Sequence, residues 1–342
     1  MREKLAKFFT NKVVLVVGGT GSIGSEIVRK LLEFQIKQVR ILSRGEYKQF
    51  QFEQELRHVS REKLSFLIGD IRDRERMFLA AEGVDLIFNA AAMKHVHLCE
   101  FNPFEAIKTN VWGTQNLVDA ARSCDAARYV HISTDKAAMP TNVMGATKLL
   151  AEKIALSAEK YKGGKHKTIF CSVRFGNVFG SRGSVVPLFM EQIKNGGPVT
   201  LTHKDMTRFM MSIPQAAELV LKAAYFSKGS ELFILKMPVM RIEDMAKGLI
   251  EIFAAKYGHQ AKAIKIKVIG KREGEKKYEL LMTEDEGENV YENNEMYCIS
   301  KTQLDKFKPS HAKSYRSDKA FVLSYGEVVS FLRKMLGDQI NV

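Results

Sequence analysis

Cysteine, tryptophan, proline and long apolar runs are all scarce in this chain. Its 342 residues include 4 Cys, 1 Trp and 7 Pro. Cys99, Cys124, Cys171 and Cys298 show neither the spacing of a metal site nor a disulfide framework. No metal is therefore expected, and the thiols read as reduced, as in the cytoplasm. Every apolar run is short and broken by charge or glycine, so no membrane insertion is expected. Residues 1–12 alternate charge with Leu5, Phe8 and Phe9 and lack a signal peptide's apolar region. There is no internal repeat and no low-complexity linker. Positive charge is abundant, at a net +14, but it is spread along the chain. With no nucleic-acid-binding motif beside it, the surplus points to an anionic ligand and not to nucleic acid.

What is present is a chain 45% apolar, enough for a large core in two lobes. Val13 to Val17 read as a strand buried on both faces. It runs into Gly18-Gly19-Thr20-Gly21-Ser22-Ile23-Gly24, and a helical pattern follows through Ile27, Val28, Leu31 and Leu32. Gly18 permits the turn, Gly21 lets backbone approach a pyrophosphate, and Gly24 lets helix and strand pack closely. The free N–H groups and dipole of the helix then face the anion. Further strands are predicted at 38–42, 64–70, 84–92, 128–133 and 168–174, with helical stretches at 47–59 and 103–124. The alternation predicts a doubly wound parallel sheet over residues 1–198 and a smaller α/β lobe over 199–342, with the chain free to cross between them. In that lobe a strand is predicted at 199–202, a helix at 242–257, a strand at 264–269 and an amphipathic helix at 325–336. The acid- and asparagine-rich stretch 283–295 reads as a mobile surface connection.

The strand ends carry the chemistry. Strand two ends Leu42-Ser43-Arg44, without the acid that binds a ribose 2′-hydroxyl, so a 2′-phosphate and NADP are favoured. Asp70, ending strand three, either accepts from the adenine amino group or caps the next helix. The small residues Ala90 and Ala91 allow backbone to lie against a cofactor. Strand five delivers Thr134-Asp135-Lys136, an adjacent acid and base that either cap a turn or catalyse. Following a dinucleotide cradle, catalysis is the reading adopted. Met144 lies one turn before Lys148 on the next helix and can transfer no proton.

These segments resemble the UDP-N-acetylglucosamine 4,6-dehydratases of the extended short-chain dehydrogenase/reductase superfamily. The resemblance rests on Gly-Gly-Thr-Gly-Ser-Ile-Gly (18–24), Ile-Gly-Asp-Ile-Arg-Asp (68–73), Asn-Ala-Ala-Ala-Met-Lys-His-Val (89–96) and the run from Ser133 to Lys148. It continues through 174–187, Met-Thr-Arg-Phe-Met-Met (206–211) and Arg-Glu-Gly-Glu-Lys (272–276). Short-chain dehydrogenases hold Tyr-x-x-x-Lys where this chain has Met144 and Lys148, and several dehydratases carry methionine there too.

The resemblance implies a Rossmann-type sheet with NADP held by Gly18, Thr20, Gly21, Ser22, Ile23, Gly24, Ser43, Arg44, Asp70, Ile71, Ala90, Ala91, Lys94 and Lys148. It implies a UDP-sugar, UDP-GlcNAc or a close relative, against Lys94, His95, Asn177, Ser184, Val185, Thr200, Arg208, Arg272 and Glu275. Lys136 is implied as C5 base and Asp135 as acid toward O6. Thr134 bonds O4, Lys148 and Met144 complete the catalytic group, and Lys148 with the nearby nicotinamide cation lowers the Lys136 pKa. A homo-oligomer, dimer or hexamer, is implied as well. Inversion at C5 is the leading expectation. The alternatives are retention at C5, another UDP-sugar epimerase or dehydratase, and, outside enzymes, an NADP-binding regulator.

Overall fold

The computed structural model describes residues 1–181, 183–271 and 274–337. Six parallel strands form its centre: β1 (Val13–Val17), β2 (Gln38–Ser43), β3 (Leu64–Ile68), β4 (Leu86–Asn89), β5 (Arg128–Ile132) and β6 (Ile169–Arg174). They lie in the order β3-β2-β1-β4-β5-β6, the doubly wound order that the alternation of strand and helix predicts.

Burial explains the composition of β1. Successive side chains of a strand point to opposite faces. Val14 and Val16 enter one core with Ile27, Val28 and Leu31. Val13, Leu15 and Val17 enter the other with Leu117, Val118 and Ala155. Helices cover both faces, so no position in β1 is left for a polar residue.

The remaining strands are β7 (Asn177–Val178), β8 (Val199–Leu201), β9 (Thr207–Met211), β10 (Leu232–Leu235), β11 (Val239–Arg241), β12 (Ile266–Val268), β13 (Leu280–Met282), β14 (Val290–Glu292), β15 (Met296–Ile299), β16 (Lys308–Pro309) and β17 (Tyr315–Arg316). β10 joins β6 in parallel, and β15, β14 and β16 follow antiparallel, giving a ten-stranded sheet. Four of its strands thus come from beyond residue 198. The smaller lobe contains the sheet β11-β9-β7 and the pairs β12-β8 and β13-β17. Its own core gathers Val186, Phe189, Met245, Leu249 and Leu332 from helices Val185–Lys194, Ile242–Phe253 and Tyr325–Leu336.

One expectation is overturned. Residues 283–295 are no loose connection, because β14 lies within the sheet and Glu286 ion-pairs with Arg174. Arg174 is fully buried on β6, and a buried guanidinium needs carboxylates close by. Glu286 is one of these carboxylates, while Glu292 and Glu295 of the same stretch pair with Lys236 and Lys222. No described helix is long and apolar enough to cross a membrane.

Candidate active site

The glycine turn after β1 is built for close approach. Gly18 has φ +79°, and a Cβ there would lie 2.7 Å from Ala91 N and 2.8 Å from Ala90 O. A Cβ on Gly24 would lie 2.3 Å from Gly18 O. Helix Ser22–Leu32 therefore starts directly on the turn, with Gly21 as an N-cap that makes no side-chain capping bond. Thr20, Ser22 and Ile23 complete this anion-facing end, and Ala90 and Ala91 form its wall. Gly24→Ala meets backbone and not a flexible side chain, so it should destabilise by about 1–3 kcal/mol. Dinucleotide titration of the variant should show affinity lowered by at least about tenfold.

Beside the cradle, Ser43 Oγ is buried with no hydrogen-bond partner. Arg44 is exposed and only loosely tied, 3.6 Å from Asp70. Burial works to raise the Asp70 pKa, but hydrogen bonds from the Arg72 side chain and backbone outweigh it and hold the carboxyl below its ordinary value. The next helix, Arg74–Ala81, is capped by Asp73, so the capping alternative for Asp70 is removed. Ile71 turns its side chain into the core against Gly113. An orphaned hydroxyl, an available guanidinium and a turn that only glycine fits suit an adenine dinucleotide bearing a 2′-phosphate.

At the end of β5 the acid and base meet. Asp135 is buried; its Oδ1 accepts from Thr134 Oγ1 at 2.7 Å and from Lys136 Nζ at 3.1 Å, and its Oδ2 accepts from Lys136 Nζ at 3.2 Å. Thr134 also caps the turn through Lys136 N–H, so capping and clustering coexist. Lys136 Nζ lies 3.5 Å from Glu279 Oε1, and Arg208 Nε, on β9, lies 3.4 Å from the same oxygen.

The expected lowering of the Lys136 pKa is overturned. Burial pushes it down, but Asp135 and then Glu279 outweigh burial and hold it above the ordinary value. The depressed amine is Lys148, which burial brings to about 8. Lys148 donates to Ile132 O and lies 3.3 Å from His131 Nε2. His131 is buried on β5, and burial, then Lys148, pushes its pKa well below the ordinary value. Asn89 reaches Thr114, Tyr129 and His131 through one amide nitrogen.

Met144 is buried with Cys99 and Ala106 in a small apolar cluster, a packing position. Nearby, helix Ile107–Trp112 is π-helical, and its Asn110 bonds Met93 N and O and Thr147 Oγ1. It thereby fastens the 89–96 stretch to the helix that carries Lys148. Residues Glu279, His131 and Asn110 escape a reading of the sequence. His131 is one polar residue inside a buried strand, and Glu279 reaches the site only through folding of the second lobe.

On the substrate side, Asn177 Oδ1, Ser184 Oγ, Ser133 Oγ and Glu279 Oε2 are buried without partners. Buried polar atoms are satisfied in the large majority of cases, so each of these groups keeps bonding capacity for a water or a ligand. Ser184 and Val185 open helix Val185–Lys194, which lacks a side-chain cap. His95 packs on Gly183, bringing Lys94-His95 to this loop, and burial, then Lys94, lowers its pKa. Thr200 is engaged by Gln192 at 2.8 Å. Arg208 donates to the carbonyls of Thr207, Lys276 and Lys277, and Glu275 accepts from Thr202. Arg208 and Glu275 therefore shape the 275–279 segment. Arg272 lies outside the described residues.

Fold and site together define the class, a Rossmann-type sheet with a glycine turn after β1 and a buried Asp135–Lys136 contact at its carboxyl edge. Residues 14–301 match the profile of the polysaccharide biosynthesis protein family, and the chain belongs to that family. It is 51% identical to an uncharacterised membrane protein of Methanocaldococcus jannaschii, over 98% of this chain and 99% of that one. It is 43% identical to the capsular polysaccharide biosynthesis protein CapD of Staphylococcus aureus, over 84% of this chain but only 48% of CapD. A UDP-glucose 4-epimerase of Rickettsia canadensis is 41% identical, over 85% of this chain and 83% of the relative.

Among solved structures, Pen from Bacillus thuringiensis superposes with TM-score 0.89 at 45% identity, covering 96% of this chain and 98% of Pen. The dTDP-glucose 4,6-dehydratase DesIV of Streptomyces venezuelae, solved with NAD bound, shares the fold. There the TM-score is 0.68 at 22% identity, over 77% of this chain and 86% of DesIV. The chain is a UDP-sugar epimerase/dehydratase-type enzyme of the short-chain dehydrogenase/reductase superfamily.

Proposed function

We propose that the chain is an NADP-dependent UDP-N-acetylglucosamine 4,6-dehydratase that inverts C5. The observation that carries this reading is the contact of Lys136 with buried Asp135 at the carboxyl end of β5. An acid and a base side by side supply what elimination needs beyond a simple oxidation at C4. A nicotinamide dinucleotide held at the Gly18–Gly24 turn would supply reversible hydride transfer for C4 and C6 of the sugar.

The chain's own groups handle the protons. Thr134 hydrogen-bonds the C4 hydroxyl, and Asp135 takes the O4 proton, because Met144 offers none of a tyrosine's capacity. The C4 ketone acidifies C5–H, and Lys136, as the neutral amine, takes that proton. Asp135 passes its own proton to O6, which leaves as water, and a solvent proton later adds to C5 from the face opposite Lys136, which sets the inversion. Lys148, tied to Ile132 O, positions the nicotinamide ribose. Lys94, His95, Asn177, Ser184 and the loop after Ser181 line the diphosphate and sugar.

Incubation with UDP-GlcNAc and NADP, followed by proton NMR, tests the reading. A 6-deoxy-4-keto product with inverted C5 is expected. An unchanged C5 configuration would reject inversion alone, and a C4 epimer without a new methyl signal would reject dehydration. A 4-epimerase, the activity named for the rickettsial relative, needs proton transfer only at O4 and has no use for Lys136.

Arg44 is proposed as the 2′-phosphate partner. Arg44→Ala should weaken NADP by about tenfold or more, as expected for a charge-assisted bond worth about 1.5–3 kcal/mol, and leave NAD nearly unchanged. Equal losses for both dinucleotides would defeat the assignment.

A further inference from the structure

Glu279 is buried, and no step above uses it. It sits just before β13, and its backbone is held on both sides by Ser317. Its N–H donates to Ser317 Oγ at 2.9 Å, and its carbonyl accepts from Ser317 N–H at 2.9 Å. Ser317 Oγ is in turn bonded to Thr207, next to Arg208 on β9. The second lobe therefore delivers this carboxylate to Lys136 from a rigid mount. Oε1 lies 3.5 Å from Lys136 Nζ and 3.4 Å from Arg208 Nε, while Oε2 is enclosed with no partner at all. An ionised carboxylate has about four lone-pair sites to satisfy, and this one is poorly provided for.

The reaction sets a requirement that Asp135 cannot meet alone. Lys136 rests as an ammonium between two carboxylates, yet only the neutral amine takes a proton from C5. Asp135 already carries the proton that travels from O4 to O6. Two protons in hand at once require two acceptors, and Glu279 is the other carboxylate within reach of the Lys136 amine.

Resting on the reading of Lys136 as the C5 base, we propose that Glu279 is a positioning residue that stores the Lys136 proton during turnover. Lys136 ammonium and Glu279 carboxylate become amine and carboxylic acid. The amine lone pair then forms an N–H bond to the C5 proton, and the C5–H electron pair passes into the enolate. A solvent proton then adds to C5 from the face opposite Lys136, Lys136 keeps the abstracted proton as its ammonium, and Glu279 releases its stored proton to solvent as product leaves. No oxidant, reductant or co-reactant is consumed in this exchange. The charged groups facing Glu279 are Lys136 and Asp135 from the turn after β5, Arg208 from β9 and Lys276 from its own segment. Burial raises its pKa against the pull of Lys136 and Arg208, so it accepts a proton more readily than a surface glutamate.

Glu279→Gln, which keeps the shape and removes the acid, is compared with wild type, Glu279→Asp and Lys136→Ala across pH 6 to 10, with UDP-GlcNAc as substrate. For Glu279→Gln, kcat at pH 7 should fall about 100-fold. KM and NADP affinity should stay within about threefold. Its kcat should climb steeply toward high pH, where hydroxide deprotonates Lys136 instead, while Lys136→Ala stays inactive throughout. Glu279→Asp should recover part of the loss at pH 7.

A Glu279→Gln kcat at pH 7 close to wild type overturns the proposal. So does a reduced kcat whose pH profile parallels wild type, which is the mark of a merely structural role. If the glutamine variant does not fold, the profile of Glu279→Asp decides by the same criterion. Wild type that makes no 6-deoxy product removes the dehydratase reading together with this one. An inactive Lys136→Ala beside a normal Glu279→Gln removes only the role of Glu279.

Discussion

Lys136→Ala should abolish dehydration and leave NADP bound. A positioned general base contributes about 10²- to 10⁴-fold, and Lys136 is the amine in direct contact with Asp135. The Lys136 amine touches Asp135 and Glu279, not the glycine turn, so dinucleotide affinity should stay within about twofold. Lys136→Arg should be almost as poor. It restores the positive charge between the two carboxylates, but a guanidinium does not give up its proton in a protein. The pair of variants thus separates base chemistry from charge balance. Single-turnover assays, with NADP binding followed in parallel, make the measurement. Undiminished turnover in Lys136→Ala would reject the base assignment, and lost NADP binding would show that the side chain supports the cradle instead.

Arg174→Met should cost more stability than any change at the surface. Arg174 is fully buried and pairs with Glu152, itself fully buried, and with Glu286 at 2.9 Å, and it donates to Leu281 O at 2.8 Å. It thereby joins β6, the helix bearing Lys148 and the stretch leading into β14. Removing one partner of a buried ion pair leaves an uncompensated charge, at a cost of about 3–5 kcal/mol. Glu152 then stands alone in the core, one turn beyond Lys148. Replacing Glu152 as well, in Arg174→Met/Glu152→Met, should restore a large part of the loss, because an apolar pair needs no charge partner. Denaturant unfolding of wild type, the single variant and the double variant measures both effects. A single-variant loss under about 1 kcal/mol, or a double variant no more stable than the single, would show that this network contributes little.

Much of the architecture was legible in the order of residues, because it depends on local rules. β-branched runs become buried strands, and a glycine turn followed by a helical pattern becomes the cradle. Strands spaced by helices pair in parallel, so the six central strands appear within three residues of where the sequence puts them. Thr134, Asp135 and Lys136 are neighbours in the chain, so their clustering needed no long-range information. The missing acid after Leu42 was equally local.

The protonation states were a different matter. Lys136 was expected to be depressed by Lys148, yet the depressed amine is Lys148 itself. The difference arises because Glu279 comes from the far lobe and adds a second carboxylate to Lys136, while Lys148 sits against neutral His131 in an enclosed space. Likewise 283–295, polar enough to look solvated, enters the structure because Arg174 has to be neutralised inside it. The sequence by itself determined the strands, the glycine turn and the adjacency of Thr134, Asp135 and Lys136. The tertiary structure alone decided which charges face one another, since electrostatic energy depends on distance and burial and not on separation along the chain.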